Sequence, residues 1–149
     1  MRKVQKEEIQ RVIVKREARS YKGDFGRLLL IGGTYPYGGA IIMAAIAAVH
    51  SGAGLVTVAT DQENIPALHS HLPEAMGFDL ADRDLLCEQI QKANVILVGP
   101  GLKESNENQA VLQMIFEQVS RHQVLILDGG AISLFATSQF DLPEAQLVF

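Results

Sequence analysis

The stretch Leu28–Ala40, LLLIGGTYPYGGA, sets four aliphatic residues directly against a segment holding four glycines. A run this short and this apolar reads as a strand buried on both faces, as in a parallel sheet. Gly32 and Gly33 follow it, and then the alanine-rich GAIIMAAIAAVHSGAG predicts a helix that ends at Gly52 and Gly54. Glycines at a strand exit let a ligand approach the backbone and let a helix dock closely behind. On the residues alone the loop is equally readable as structural turns. It is neither the G-x-G-x-x-G fingerprint nor a Walker A loop, since no Gly-Lys-Ser/Thr follows.

Outward from this stretch the same plan recurs. Lys22–Gly26 supplies turn chemistry ahead of the strand Arg27–Ile31, and Leu55–Thr60 is β-branched and strand-like. Asp61 is placed to cap a following helix, with Pro66 in its first turn or in a loop. Residues 71–83 predict no regular element. Leu85–Ala93 has helical spacing and leads into the strand Val95–Val98 and a Gly-Pro-Gly turn. Ser105 or Asn106 caps a helix whose apolar face is Val111, Leu112, Ile115, Phe116 and Val119. Val124–Leu127 predicts a strand, Asp128 stands at its end, a helix follows, and AQLVF begins one more strand. Residues 1–20 read as a polar arm or helix with sparse apolar marks at Val4, Ile9, Val12 and Ile13.

Strands alternating with helices predict a three-layer α/β/α domain with a mostly parallel sheet. The exits at Gly32–Gly33, Gly99–Gly101 and Asp128–Gly130 should then share one crevice beyond the carboxyl ends of the strands.

Bulk properties narrow the function. The chain has 149 residues, 48% of them hydrophobic and 20% charged, which suits one globular domain. A net charge of −4 gives no general attraction to nucleic acid or anionic lipid. The single cysteine, Cys87, forms no internal disulfide and reads as a small core residue, so a reducing compartment fits. The charged N-terminus lacks a signal-peptide core, and the longest apolar segment is too interrupted to span a membrane. His50 reads as core or helix end; His69 and His71 sit two apart with no carboxylate or cysteine pattern of a zinc site. Lys22 reads as a solvated loop charge. Asp128 is readable as a metal or substrate carboxylate, or as a helix cap.

KGDFGRLLLIGGTYPYGGAIIMAAIAAVHSGAGLVTVAT, LPEAMGF, VILVGPGL and VLILDGGAISLF, in this order, resemble the ADP- or ATP-dependent NAD(P)H-hydrate dehydratases, the ribokinase-like carbohydrate-kinase domain of the YjeF type. The resemblance covers Lys22 to Phe149. It implies repair of nicotinamide nucleotides: hydrated NADH or NADPH is dehydrated at the expense of ADP or ATP, with Mg2+ assisting. Phosphorylation of the ring hydroxyl makes a leaving group and elimination follows, a chemistry that rests on positioning and charge neutralisation. It implies hydrate contacts at Ala40 and Gly101; Gly33 and Asp128, which like them lie just past strand-like runs, are expected to line the same cleft. It also implies a cytoplasmic homo-oligomer, a tetramer.

The family's Thr-Pro-His segment and Gly-Thr-Gly-Asp motif, whose Asp is the expected base, are not found in these residues, and LDGGAISLF replaces the usual Asp-Ala-Asp-Ala. The chain therefore reads as the N-terminal half of such a domain, a truncated ribokinase-like fold. Catalytic residues and nucleotide site are expected elsewhere, no metal ligand is assigned here, and the chain by itself is expected to be inactive. Its apolar runs Leu28–Ile31, Val95–Val98 and Val124–Leu127 are expected to have exposed surroundings. A ribokinase-like kinase of a small hydroxylated metabolite, or a non-catalytic fragment acting through oligomer contacts, are the alternatives.

Overall fold

A computed structural model describes residues 3–12 and 16–149; Ile13 lies outside the described residues. Helix α1 (Lys6–Val12) is followed by a single 3-10 turn over Lys22–Phe25. Arg16 ties this N-terminal segment down, donating from Nη2 to the Gly52 carbonyl at 2.8 Å and lying over the Phe25 ring.

The sheet begins with β1 (Arg27–Ile31), which leads through the glycine-rich loop into α2 (Gly38–His50) and then β2 (Leu55–Thr60). Next come α3 (Ile65–His71), β3 (Met76–Asp79), α4 (Arg83–Lys92) and β4 (Val95–Val98). The remaining elements are α5 (Asn106–Gln118), β5 (Val124–Leu127), α6 (Gly129–Thr137) and β6 (Gln146–Val148). All six strands are parallel, in the order β3-β2-β1-β4-β5-β6. Chain direction across the sheet thus reverses between β1 and β4.

Two corrections concern the β2–β4 region. The segment 71–83 holds a strand, β3, because Met76–Asp79 adds to the edge of β2 in register with Thr57–Thr60. Gly77 and Asp79 hide it, being poor strand formers, and Phe78 is the one buried residue of its four. Asp61 precedes a 3-10 turn but makes no capping bond; its Oδ2 accepts from the Tyr35 amide at 2.7 Å instead. Pro66 lies in the first turn of α3, where its missing N–H has no helical partner to lose.

Strand pairing sorts side chains into two rows. Leu29, Ile31, Ile96, Val98, Leu125 and Leu127 are all buried and share a core with α4 and α5. On the other face the row Val58–Leu30–Leu97–Ile126–Val148 runs from fully buried, beneath α2 and α3, through half-buried to 38% exposed. The expected exposure therefore falls on one face of β4, β5 and β6, while β1 is covered at Leu29, Leu30 and Ile31.

Candidate functional site

The β1 and β4 exits run side by side where the strand order reverses. Gly33 N donates to the Pro100 carbonyl and Thr34 N to the Gly101 carbonyl, each at 2.9 Å. In open parallel sheets this is where neighbouring connections part to opposite faces and a ligand crevice forms. Glycine is required there for close approach. At Gly101 φ is +65° and an added Cβ would strike the Tyr37 carbonyl; at Gly99 φ is +129° and it would strike the Asp128 carbonyl. The β4 exit is wedged between the β1 loop and the β5 exit.

Ala40 and Gly101 meet through Tyr37. Ala40 N donates to the Tyr37 carbonyl at 3.3 Å, and Gly101 packs against that same oxygen. Ala40 is half-buried in the first turn of α2, and beside it Gly39 is exposed with nothing in the space a Cβ would take. Tyr37 itself is 58% exposed, as is its neighbour Tyr35 to a greater degree. Asp128 is exposed at the β5 exit and occupies the N-cap position of α6 without making a side-chain capping bond.

Gly33 differs from the other three. It is buried, its φ is +73°, and Ile41 and Thr60 fill the space beside its Cα. Its amide is spent on Pro100 and its carbonyl accepts from Thr60 Oγ1 and from Asn64 Nδ2. Gly33 shapes the loop from beneath.

The polar groups that fix this loop include several that sequence reasoning passed over. Asn64 clamps it from the β2 side, also donating to Thr60 Oγ1 at 3.0 Å. Buried Asn108 clamps it from α5, donating from Nδ2 to the Lys103 carbonyl at 2.8 Å and to Thr34 Oγ1 at 3.4 Å. Tyr37 had a sequence signal, an aromatic residue between glycines in a loop. Asn64 and Asn108 had none, since an asparagine on a helix reads as solvated polarity.

His50 is exposed at the last residue of α2, and His69 and His71 are exposed on α3. Among the described residues no three His, Cys, Asp or Glu side chains converge as metal ligands.

A parallel six-stranded sheet in this order, with its crevice at the reversal point and lined by small residues, defines a doubly wound α/β protein. The sequence profile of the carbohydrate-kinase family described as NAD(P)H-hydrate dehydratase matches residues 28–149, and the chain belongs to that family. The ADP-dependent (S)-NAD(P)H-hydrate dehydratase of Streptococcus pneumoniae is 56% identical over 140 residues, covering 94% of this chain and 48% of the relative. A hypothetical protein of Streptococcus mutans has a crystal structure that superposes with a TM-score of 0.83 at 55% identity, covering 89% of this chain and 49% of that one. An ADP/ATP-dependent NAD(P)H-hydrate dehydratase of Bacillus subtilis, co-crystallised with ATP/Mg2+, superposes at a TM-score of 0.71 and 26% identity, covering 95% and 49%. The chain spans about half the length of the relatives it matches.

Proposed function

We propose that this chain forms the hydrate-binding wall of an ADP-dependent (S)-NAD(P)H-hydrate dehydratase. The observation that carries the reading is the meeting of Ala40 and Gly101 on one Tyr37 carbonyl, at the sheet's reversal point, in a chain 56% identical to a relative of that name. The open space at Gly39 beside Ala40 leaves room for a ring to lie against the backbone, and Gly101, packed on the Tyr37 carbonyl, holds that turn in place from behind. Preorganised positioning is the part of phosphoryl-transfer catalysis such a wall can supply. ADP as phosphoryl donor, Mg2+ and the proton-accepting group belong to the part of the family domain beyond the residues matched here. Residues 1–149 act as its N-terminal half, in a cytoplasmic homo-oligomer. No helix among the described residues is long and apolar enough to cross a membrane.

A chimera joining residues 1–149 to the C-terminal half of the Streptococcus pneumoniae relative tests this. It should restore reduced-nicotinamide absorbance from hydrated NADH in an ADP-dependent manner. Ala40→Phe in the chimera should raise KM for the hydrate about tenfold or more with little change in Tm, because the ring occupies open space at a half-buried, first-turn position. A chimera that melts cooperatively yet shows no ADP-dependent recovery, or that instead phosphorylates a small pyrimidine or thiazole alcohol, overturns the reading.

A further inference from the structure

Beside the crevice, toward the β3 edge, lies a cavity of about 280 Å³ that the reading above leaves unused. Its walls come from four strand exits: Thr34 after β1, Asp61 after β2, Asp79 at the end of β3, and Lys103 with Glu107 after β4; Arg83 opens α4 beside them. Thr34 joins cavity and crevice, since its amide is bonded to Gly101 and its hydroxyl accepts from the Lys103 amide at 3.3 Å.

The charges in this cavity are of both signs and are only partly used. Lys103 is exposed and has no ion pair among the described residues. Arg83 donates from Nη1 to the Leu80 carbonyl at 3.0 Å, while Nη2 stands 3.8 Å from Glu107, too far for a hydrogen bond. Asp61 uses Oδ2 on the Tyr35 amide and Asp79 uses Oδ1 on the Ala81 amide, so each carboxylate is held in place by one oxygen with the other left over.

Carboxylate oxygens held this way accept from vicinal hydroxyls, and Lys and Arg bind phosphate. A bare anion would face three carboxylates here, and a neutral sugar would leave the Lys103 ammonium unanswered. A phosphorylated ribose answers both sets. We infer that this cavity takes a phosphorylated ribose of the hydrated dinucleotide, with Lys103 and Arg83 on the phosphate and Asp61 and Asp79 on the ribose hydroxyls. The inference rests on the dehydratase reading for the identity of the ligand. Its phosphate is either the diphosphate bridge or the extra 2′-phosphate of the NADP series.

The test uses Lys103→Gln, Arg83→Gln and the double variant in the chimera, titrated calorimetrically with the reaction products NADH and NADPH, which require no turnover. Each variant removes a charge-assisted hydrogen bond and should weaken binding by roughly tenfold or more. Equal loss for both ligands assigns the diphosphate bridge; loss for NADPH alone assigns the 2′-phosphate. Asp79→Asn should weaken both. Binding of both ligands by a cooperatively melting double variant within about twofold of the parent overturns the inference, and because the Lys103 side chain makes no hydrogen bond or ion pair among the described residues, Lys103→Gln keeps the test valid if Arg83→Gln misfolds. Failure of the dehydratase reading shows separately, as lost turnover in the unsubstituted chimera that still binds its products.

Discussion

Gln123 does the work of a helix cap from thirty residues away in the chain. Its Nε2 donates to the carbonyls of Ile90 and Ala93 at 2.6 and 2.8 Å, where α4 ends, and its Oε1 accepts from the Ser120 amide at 2.8 Å. The last carbonyls of a helix have no partner within it, and here a buried side chain supplies one. Gln123→Ala should therefore cost about 1–3 kcal/mol, read as a lower urea midpoint with unchanged m, because the Ala93 carbonyl loses its donor and the Ile90 carbonyl keeps only the Ala93 amide at 3.3 Å. In the sequence, RHQV reads as a polar turn and nothing marks its third residue as interior. Gly99 and Gly101 lie at the other extreme: a Gly-Pro-Gly after an aliphatic run announces a backbone that side chains would obstruct. Residues whose role is set by their own backbone were legible. Those whose role depends on a partner brought up by the fold, as with Gln123, Asn64 and Asn108, were not.

The elements divide along the same line. β1, β2, β4 and β5 are aliphatic or β-branched runs bounded by turn residues, and their observed limits coincide with the sequence reading of Arg27–Ile31, Leu55–Thr60, Val95–Val98 and Val124–Leu127. β3 exists through tertiary pairing alone, as an edge strand of four residues that β2 recruits. Helix starts followed local chemistry: Ser105 Oγ accepts from the Asn108 amide at 3.2 Å, so it, and not Asn106, is the cap of α5. Asp82 caps α4 in the same way, its Oδ1 accepting from Leu85 N at 3.0 Å. Asp82→Ala should cost about 1 kcal/mol, with the loss concentrated in α4 amides by hydrogen exchange. The candidate site is legible to the extent that it is made of strand exits. Its polar half, the cavity at Asp79 and Arg83, sits on the β3 exit and so went unread along with β3.

At the scale of the whole molecule the two faces of one sheet are unequally covered. Leu125 and Ile126 are adjacent on β5, yet Leu125 is fully buried in the core with α4 and α5, whereas Ile126 is half-buried and in neither core cluster, between Leu97 at the rim of the second cluster and the 38% exposed Val148. Parallel strands are normally covered on both sides, which is why these runs are apolar at every position. Apolar surface left wet forgoes about 25 cal/mol per Å², so a few hundred Å² on this face amounts to several kcal/mol out of a typical 5–15. The 149-residue chain by itself should bind a hydrophobic dye and show an apparent mass in sedimentation that rises with concentration. Substitution separates the two faces. Ile126→Lys should cost about 1 kcal/mol or less and suppress both signals, since the lysine stem can lie along the sheet with its ammonium in water. Leu125→Lys should unfold the domain, because it drives an unpaired charge into a filled core. Equal tolerance of the two substitutions, read by circular dichroism and thermal melts, would mean that the second face is covered after all.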